Sequence, residues 1–505
     1  MADASADTSW AAPLRDALRR ADYRYDTVAA VLGPGAHAAL SRNETVPGLL
    51  ATRGGTPVEV LTRLWLLQAV VPVPEVERAL PGLLDRLCAA GLLERSVGEV
   101  AARVDVRPYA VDTPSPGRDL LVASDLTPGL DGTAQRVGAD HVLGISPAAT
   151  SLAQLTARRP VGRALDLGTG CGVQALHLTG HADHVVATDV NARALWLTRV
   201  NAVLNEVDLD VREGSFWDPV LDDRPFDLVV TNPPFVISPA LGERLVYRDS
   251  GLPGDRVVEH LVRTAPRHLA PGGFCQVLGN WMVLEDQPWE ERIAGWIAPS
   301  AGSGTCDAWV VERERVDLPT YVELWLKDAG LHPATGGDVD DYRRRYDTWL
   351  SWFDQQGAVA VGFGWLNLRA IEGAGDVRIE QWPYEVAQPL GPEVAAHFDR
   401  VDWLRDTDDA TVAATRLRLR ADVLQESRGP AGAEDPATIV LRQQAGMRRA
   451  RQVTTGEAAF AGACDGDLAV GPLLGAVVDL VGVEVDIATV RDLMGEGWFE
   501  PVTSG

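Results

Sequence analysis

The sequence predicts an α/β chain built on a doubly wound, largely parallel sheet with a small α+β module on either side. Three short apolar runs carry that reading. Ala164 to Leu167 ends in Gly168-Thr169-Gly170-Cys171-Gly172, His184 to Thr188 ends at Asp189, and Phe226 to Thr231 ends in Asn232-Pro233-Pro234-Phe235. Each run is almost continuously apolar rather than alternating, as a strand covered on both faces requires, and each stops at residues suited to a ligand. Helical stretches separate the runs, and open α/β sheets bind ligands at the carboxyl ends of their strands.

The elements follow in order. Val58 to Val70 and Pro81 to Ala90 read as helices, the second with Leu83, Leu84, Leu87 and Cys88 on one face and Gly91 as its carboxyl cap. Leu92 to Arg95 and Val100 to Val106 alternate like a hairpin, so the order helix, helix, ribbon fits a winged helix. Pro108, Pro114 and Pro116 mark a linker. Before the first apolar run, Ser146 and Pro147 open a helix as cap and first residue. The glycine turn departs from a dinucleotide-binding turn because Val173 stands where the third glycine belongs. Asp189 is placed to accept ribose hydroxyls, and Asn191 caps the helix containing Ala194, Leu195, Leu197 and Val203. A third short strand leads into Ser215 and Phe216. Gly272-Gly273 is a plain turn into a strand, since no Lys-Ser or Lys-Thr follows. Ala358 to Trp365 reads as the final strand of the sheet, after a connection longer than usual that contains Tyr342-Arg-Arg-Arg-Tyr346. Beyond it, Met447-Arg-Arg-Ala-Arg451 precedes helices at Pro472 to Val481 and Ile487 to Gly495, a second unit like a winged helix. The expected division is therefore residues 1–117, 118–372 and 373–505, in line with about 150 residues per domain.

The Asn-Pro-Pro-Phe turn suits one chemical task, alkylation of a planar NH2 group whose lone pair is spread into a π system. Asn232 offers a side-chain oxygen to one N–H and the Pro233 carbonyl accepts the other, while Pro234 stiffens the turn and Phe235 offers a stacking face. Such a site works by orientation and needs no general base.

The ordered set DLGTGCG, ATDVNARAL, REGSFWDPV and FDLVVTNPPF, within Arg118 to Arg369, resembles the class I S-adenosylmethionine-dependent methyltransferases, in particular their small-domain branch. That branch includes release-factor glutamine methyltransferases and ribosomal guanine and adenine N-methyltransferases. The resemblance implies a Rossmann-like methyltransferase sheet and S-adenosyl-L-methionine as cofactor. By position, Asp166 and the turn Gly168, Thr169, Gly170, Cys171 and Gly172 meet the methionine end, and Asp189 meets the ribose. Asn191 lines the site, Ser215 and Phe216 meet the adenine, and Asn232, Pro233, Pro234 and Phe235 grip the acceptor. The glutamine-modifying members usually end the tetrapeptide in Tyr where this chain has Phe235, whereas Tyr247-Arg-Asp-Ser-Gly251-Leu is similar to theirs. Three functions follow. The first is N-methylation of a nucleobase in RNA or DNA, the second is methylation of a glutamine amide in a protein partner, and the third is a non-catalytic cofactor-binding scaffold.

Composition narrows the partners. Asp and Glu outnumber Lys and Arg by 71 to 46, a net charge of -25, so nucleic acid must meet a local patch. The two candidate patches are Arg343 to Arg345, read first as a solvated helix face paired with Asp340, Asp341 and Asp347, and the group Arg448, Arg449 and Arg451. Cys171 needs to be small between two glycines and is read as structural. Five cysteines without paired spacing and no apolar leader imply a reducing cytoplasm, and no metal-ligand spacing is present. No apolar stretch is long enough to span a membrane.

Overall fold

The computed structural model describes residues 7–111, 119–132, 138, 140–234, 236–239, 252–299, 304–431 and 436–502. The chain divides into two compact units, one of residues 1–153 and 159–382 and the other of residues 154–158 and 383–505.

The first unit is organised by an eight-stranded sheet. Its strands in chain order are β1 (Val161–Leu167), β2 (Ala182–Asp189), β3 (Asp210–Glu213), β4 (Phe226–Thr231), β5 (Leu269–Leu284), β6 (Thr305–Asp317), β7 (Ala358–Ile371) and β8 (Val377–Gln381). They lie in the order β8-β6-β7-β5-β4-β1-β2-β3. Strands β3, β2, β1, β4 and β5 are mutually parallel, and β7 runs antiparallel between β5 and β6. The strand order therefore reverses between β1 and β4, and the crevice at their carboxyl ends is where a ligand site belongs. The three apolar runs are β1, β2 and β4, as their unbroken hydrophobicity requires. The strand predicted to be last is β7, but β8 adds to the edge of β6 in parallel, which carries the sheet to Gln381, beyond the division drawn at residue 372. Its residues are half exposed and lack the apolar run by which the inner strands were recognised.

Helices α1 (Val173–Leu178), α2 (Ala192–Asn205), α3 (Arg256–Thr264) and α4 (Trp289–Ile297) connect the strands. The long connection between β6 and β7 is a pair of helices, α5 (Leu318–Asp328) and α6 (Val339–Gln355), that pack against each other. Their buried side chains, among them Tyr321, Trp325, Trp349 and Phe353, form a cluster of their own with Val236, Ile237 and Met282.

The amino-terminal residues share the core of this unit. Trp10, Leu14, Leu18, Trp65 and Leu87 belong to one buried cluster with Trp196, Leu197 and Val200 of α2. Helix α2 is accordingly apolar around most of its circumference, as a helix covered on two sides must be. Helix Pro57–Leu61 passes through a π-turn at Thr62–Leu66 into strand Val71–Pro72, followed by helices Val73–Ala79 and Leu84–Ala89 and a hairpin of Leu93–Ser96 with Glu99–Ala102. The hairpin's second strand lies between the other two. The predicted ribbon Val100 to Val106 is broken after Ala102, and Asp105–Ala110 pairs instead with Asp119–Ser124. Pro108 sits inside that two-stranded ladder rather than in a linker, tolerated because one edge of the strand is free; Pro114 and Pro116 lie outside the described residues.

In the second unit, strand Arg416–Leu419 lies between Asp465–Ala469 and Phe499–Pro501, with helices Thr455–Ala463, Val470–Val481 and Ile487–Gly495 packed on them. Leu417, Phe460, Val490, Met494 and Trp498 are buried in its core. The last two helices fall where the sequence placed them. A separate three-stranded sheet holds Val423–Arg428, Thr438–Gln443 and Ala450–Val453.

Candidate active site at the sheet's switch point

A cavity of about 820 Å³ opens at the carboxyl ends of β1, β2 and β4. Asp166, Gly168, Thr169, Gly170, Cys171, Asp189, Asn191, Ser215, Phe216, Asn232, Pro233 and Pro234 all line it, together with residues of the segment from Asp140 to Ala149. Phe235 and the Tyr247 to Gly251 stretch lie outside the described residues.

The turn after β1 is built for close approach. Gly168 and Gly170 have φ of 73° and 56°, and a Cβ at either would meet no atom within 4 Å, so the space above both is cavity. Gly172 departs from the expectation: it does not line the cavity. It is the residue before α1, with φ 85°, and a Cβ there would stand 3.1 Å from Thr198 Cγ2, so close packing on α2 accounts for this glycine.

Two carboxylates hold the turn. Asp166 Oδ2 accepts from Thr169 Oγ1 at 2.6 Å and from the Ala175 amide at 2.9 Å, tying the turn to α1. Burial pushes its carboxyl up to about 7 against the opposing pull of those two donors. Asp189 uses one oxygen for the Gly170 amide and the other for the Asn191 amide, each at 2.9 Å. Each oxygen keeps a second lone pair for a hydroxyl in the cavity. Burial also raises the Asp189 pKa, with the amide donors from Asn191 and Gly170 opposing it. Cys171 is buried, and burial pushes its thiol up to about 12, which leaves too little thiolate for a nucleophile and fits the structural reading.

Asn191 does both things expected of it. Its oxygen caps α2 by accepting from the Arg193 amide, and its Nδ2 donates to the Asp140 carbonyl at 2.9 Å, holding the cavity wall. Ser146 Oγ accepts from the Ala149 amide at 3.1 Å, so the segment His141 to Pro147 is at once a helix entrance and a wall of the cavity. Phe216 has φ 46° and packs edge-on against His260 at 4.8 Å.

At the far end, Thr231 Oγ1 donates to the Leu167 carbonyl at 2.8 Å and locks β4 to β1. Asn232 Oδ1 is buried without a hydrogen-bond partner among the described residues. An unsatisfied buried amide oxygen costs about 1–3 kcal/mol, so a cavity lined by one is shaped for a donor.

Several residues the sequence did not reveal complete the site. Asp125 accepts from the Val142 amide at 2.8 Å and pairs with Arg193 at the start of α2, fixing the wall opposite the glycine turn. Asn201 of α2 accepts from the Ala123 amide at 2.7 Å and donates to the carbonyls of Ala123 at 2.8 Å and Cys171 at 2.7 Å. Outside the cavity, Asp131 accepts from both the amide and the hydroxyl of Thr45 in the amino-terminal region.

Neither arginine group is a free basic patch. Arg343 lies 3.9 Å from Asp340, while Arg344 and Arg345 both pair with Asp341 one turn away, so the solvated-face reading is the one realised. Arg448 pairs with Glu385, Arg449 is buried, and Arg451 bridges Glu457 and Glu496. Among the described residues no helix is long and apolar enough to cross a membrane.

Comparison with known proteins agrees with this geometry. The methyltransferase small domain family matches residues 144–286, and a domain of unknown function (DUF7059) matches residues 20–103. The ribosomal protein uL3 glutamine methyltransferase of Bradyrhizobium diazoefficiens is 31% identical over 157 residues, 28% of this chain and 49% of that protein. The release factor glutamine methyltransferase of Xylella fastidiosa is 36% identical over 146 residues, 26% of this chain and 49% of that protein. The ribosomal RNA small subunit methyltransferase C of Salmonella arizonae is 31% identical over 121 residues, 24% of this chain and 31% of that protein. The chain thus spans about half or less of these relatives. The matched residues contain the glycine turn, Asp189 and the Asn-Pro-Pro turn, and they make residues 144–286 a class I methyltransferase domain of the small-domain branch, whose cofactor is S-adenosylmethionine.

Proposed function

We propose that the protein is an N-methyltransferase that moves the methyl group of S-adenosylmethionine onto a planar NH2 group held at Asn232 and Pro233. The observation that carries this reading is Asn232 Oδ1, buried and without a hydrogen-bond partner among the described residues, on a residue that lines the same cavity as Gly168 and Gly170. When bound, the cofactor supplies an electrophilic methyl on a sulfonium. The glycine turn admits its methionine end, Asp189 accepts ribose hydroxyls, and Ser215 and Phe216 border the adenine. Asn232 Oδ1 and the Pro233 carbonyl each accept one N–H of the acceptor, which turns the nitrogen lone pair toward the methyl. The nitrogen gains a carbon and releases a proton to solvent after transfer, so catalysis rests on orientation. Phe235 is assigned the stacking face.

The acceptor favoured by charge is a glutamine amide in a protein partner, because the arginines that would track a phosphate backbone are engaged with carboxylates or buried. A nucleobase amino group in RNA or DNA is the second reading, supported by the ribosomal RNA methyltransferase relative. The amino-terminal region and the carboxy-terminal region beyond the sheet are assigned, with a winged-helix character for each, to substrate presentation or protein contact; cytoplasmic residence accords with both acceptors.

The test is transfer of labelled methyl from S-adenosylmethionine to fractionated cell extract, with the Asn232→Ala variant as control. Label removed only by protease, and absent with the variant, supports the amide; label removed by nuclease makes the acceptor a nucleobase. Equal labelling by wild type and variant refutes the assigned acceptor grip.

A further inference from the structure

The turn that grips the acceptor is fixed at one end by Thr231, and what fixes its other end is not part of the recognised domain. In the parallel ladder Thr231 of β4 faces Val277 of β5, the last pair before the turn at Asn232, Pro233 and Pro234. The two prolines have no N–H and cannot donate a ladder bond to β5. Past them, the Ile237 amide donates to the hydroxyl of Tyr321 at 2.8 Å, and Asn280 Nδ2 donates to the same oxygen at 3.2 Å. Ile237, Asn280 and Tyr321 are each fully buried.

Tyr321 belongs to α5, in the helix pair inserted between β6 and β7. Its ring is held without its hydroxyl, by Trp325 at 6.0 Å, Trp349 at 6.4 Å, Phe353 at 5.9 Å and Phe363 at 5.9 Å between centroids. The hydroxyl is thus a polar atom delivered by an apolar cluster to one place, the backbone three residues after Pro234. Val236 and Ile237 are packed into the same cluster.

We infer that Tyr321 is a positioning residue for methyl transfer: its hydroxyl, steadied by Asn280, anchors the backbone that leaves the Asn232-Pro233-Pro234 turn, so that the inserted helix pair sets the direction of the Pro233 carbonyl toward the acceptor. This rests on the N-methyltransferase reading above. The insertion is then part of the acceptor machinery rather than an ornament of the sheet, and it acts on the acceptor without touching the cofactor end of the cavity.

Tyr321→Phe tests this, because it keeps the ring in its aromatic cage and removes only the oxygen. Two readouts are paired. Hydrogen exchange of the Ile237 amide, read by NMR, is expected to accelerate at least about tenfold as its buried bond is lost. The initial rate of label transfer from saturating methyl-labelled S-adenosylmethionine to the active extract fraction is expected to fall about tenfold, the effect of one hydrogen bond's worth of misorientation. Cofactor affinity by calorimetry stays within about twofold of wild type, whereas a merely structural defect would move affinity and melting temperature together with the rate. Unchanged exchange at Ile237 overturns the anchor, and faster exchange with an unchanged transfer rate overturns its role in positioning. Failure of the wild type to transfer label would refute the N-methyltransferase reading instead, and with it the catalytic half of this inference, while the exchange measurement still decides the anchor.

Discussion

Asn201 makes three buried hydrogen bonds, and replacing it with alanine removes all of them at once. The Ala123 amide, the Ala123 carbonyl and the Cys171 carbonyl each lose a partner that lies between 2.7 and 2.8 Å away. Asn201 is fully buried, so water does not replace the side chain without opening the packing around it. At about 1 kcal/mol for each orphaned group the loss is about 3 kcal/mol, and a small cavity adds to it. The effect also has a direction. The Cys171 carbonyl belongs to the glycine turn, and Thr198 Oγ1, one turn earlier on α2, holds the neighbouring Gly170 carbonyl at 2.9 Å. Thr198, Asp166 and Asp189 still hold the turn, but without the tie to the Cys171 carbonyl it loosens, and cofactor affinity is expected to fall about tenfold, a cost of about 1.4 kcal/mol. Urea unfolding measures the first quantity and titration calorimetry with S-adenosylmethionine the second. A loss of stability below about 1 kcal/mol together with unchanged affinity would refute the claim that Asn201 couples the turn to strand Asp119–Ser124.

Asp189→Ala removes the acceptor for the Gly170 and Asn191 amides as well as the proposed ribose contact, so cofactor binding should weaken by about 100-fold in calorimetry. Asp166 has a carboxyl pushed up by burial to about 7, above its value in the unfolded chain. The stability this residue contributes is therefore fully present below about pH 4 and is lost as pH rises through about 7; Asp166→Asn should flatten the fall in melting temperature between pH 5 and 8. Gly172→Ala places a Cβ 3.1 Å from Thr198 at a φ of 85° and should cost about 1–2 kcal/mol in chemical denaturation. Replacing Arg343, Arg344 and Arg345 together by Gln should leave the rate of label transfer and its salt dependence unchanged, since Asp340 and Asp341 already engage them.

What the sequence made legible was what is local along the chain. The glycine turn, Asp189 and the cap at Asn191 announce themselves because each acts within a few residues of a strand end, and the unbroken apolar runs identify β1, β2 and β4. Asn201 and Tyr321 gave no such signal. Their partners lie 78 and 84 residues away, and an asparagine inside a helix or a tyrosine on an apolar face looks the same in sequence whether or not its polar atom has a task. The arginine groups divide: the aspartates beside Arg343 to Arg345 are near in sequence and the solvated helix face was read from them, whereas Glu385 and Glu496, which meet Arg448 and Arg451, are remote. A run of like charges is visible in sequence, but the aspartates one helical turn away, and the glutamates brought from other elements, decide whether any of it reaches solvent unpaired.

The shared core of the amino-terminal residues and α2 bears on which parts of this protein are separable. Trp10 stands 6.2 Å from Trp196, Arg15 donates to the Val203 carbonyl, and Arg19 pairs with Glu206 at the end of the helix. A fragment starting at residue 118 would strip that face and leave Trp196, Leu197 and Val200 in water beside the glycine turn, with the loop of Asp131 detached from Thr45. The family match begins at residue 144, yet the buried core around α2 extends back to Trp10. For engineering, the amino-terminal region and the sheet are to be kept in one piece, because they share that core.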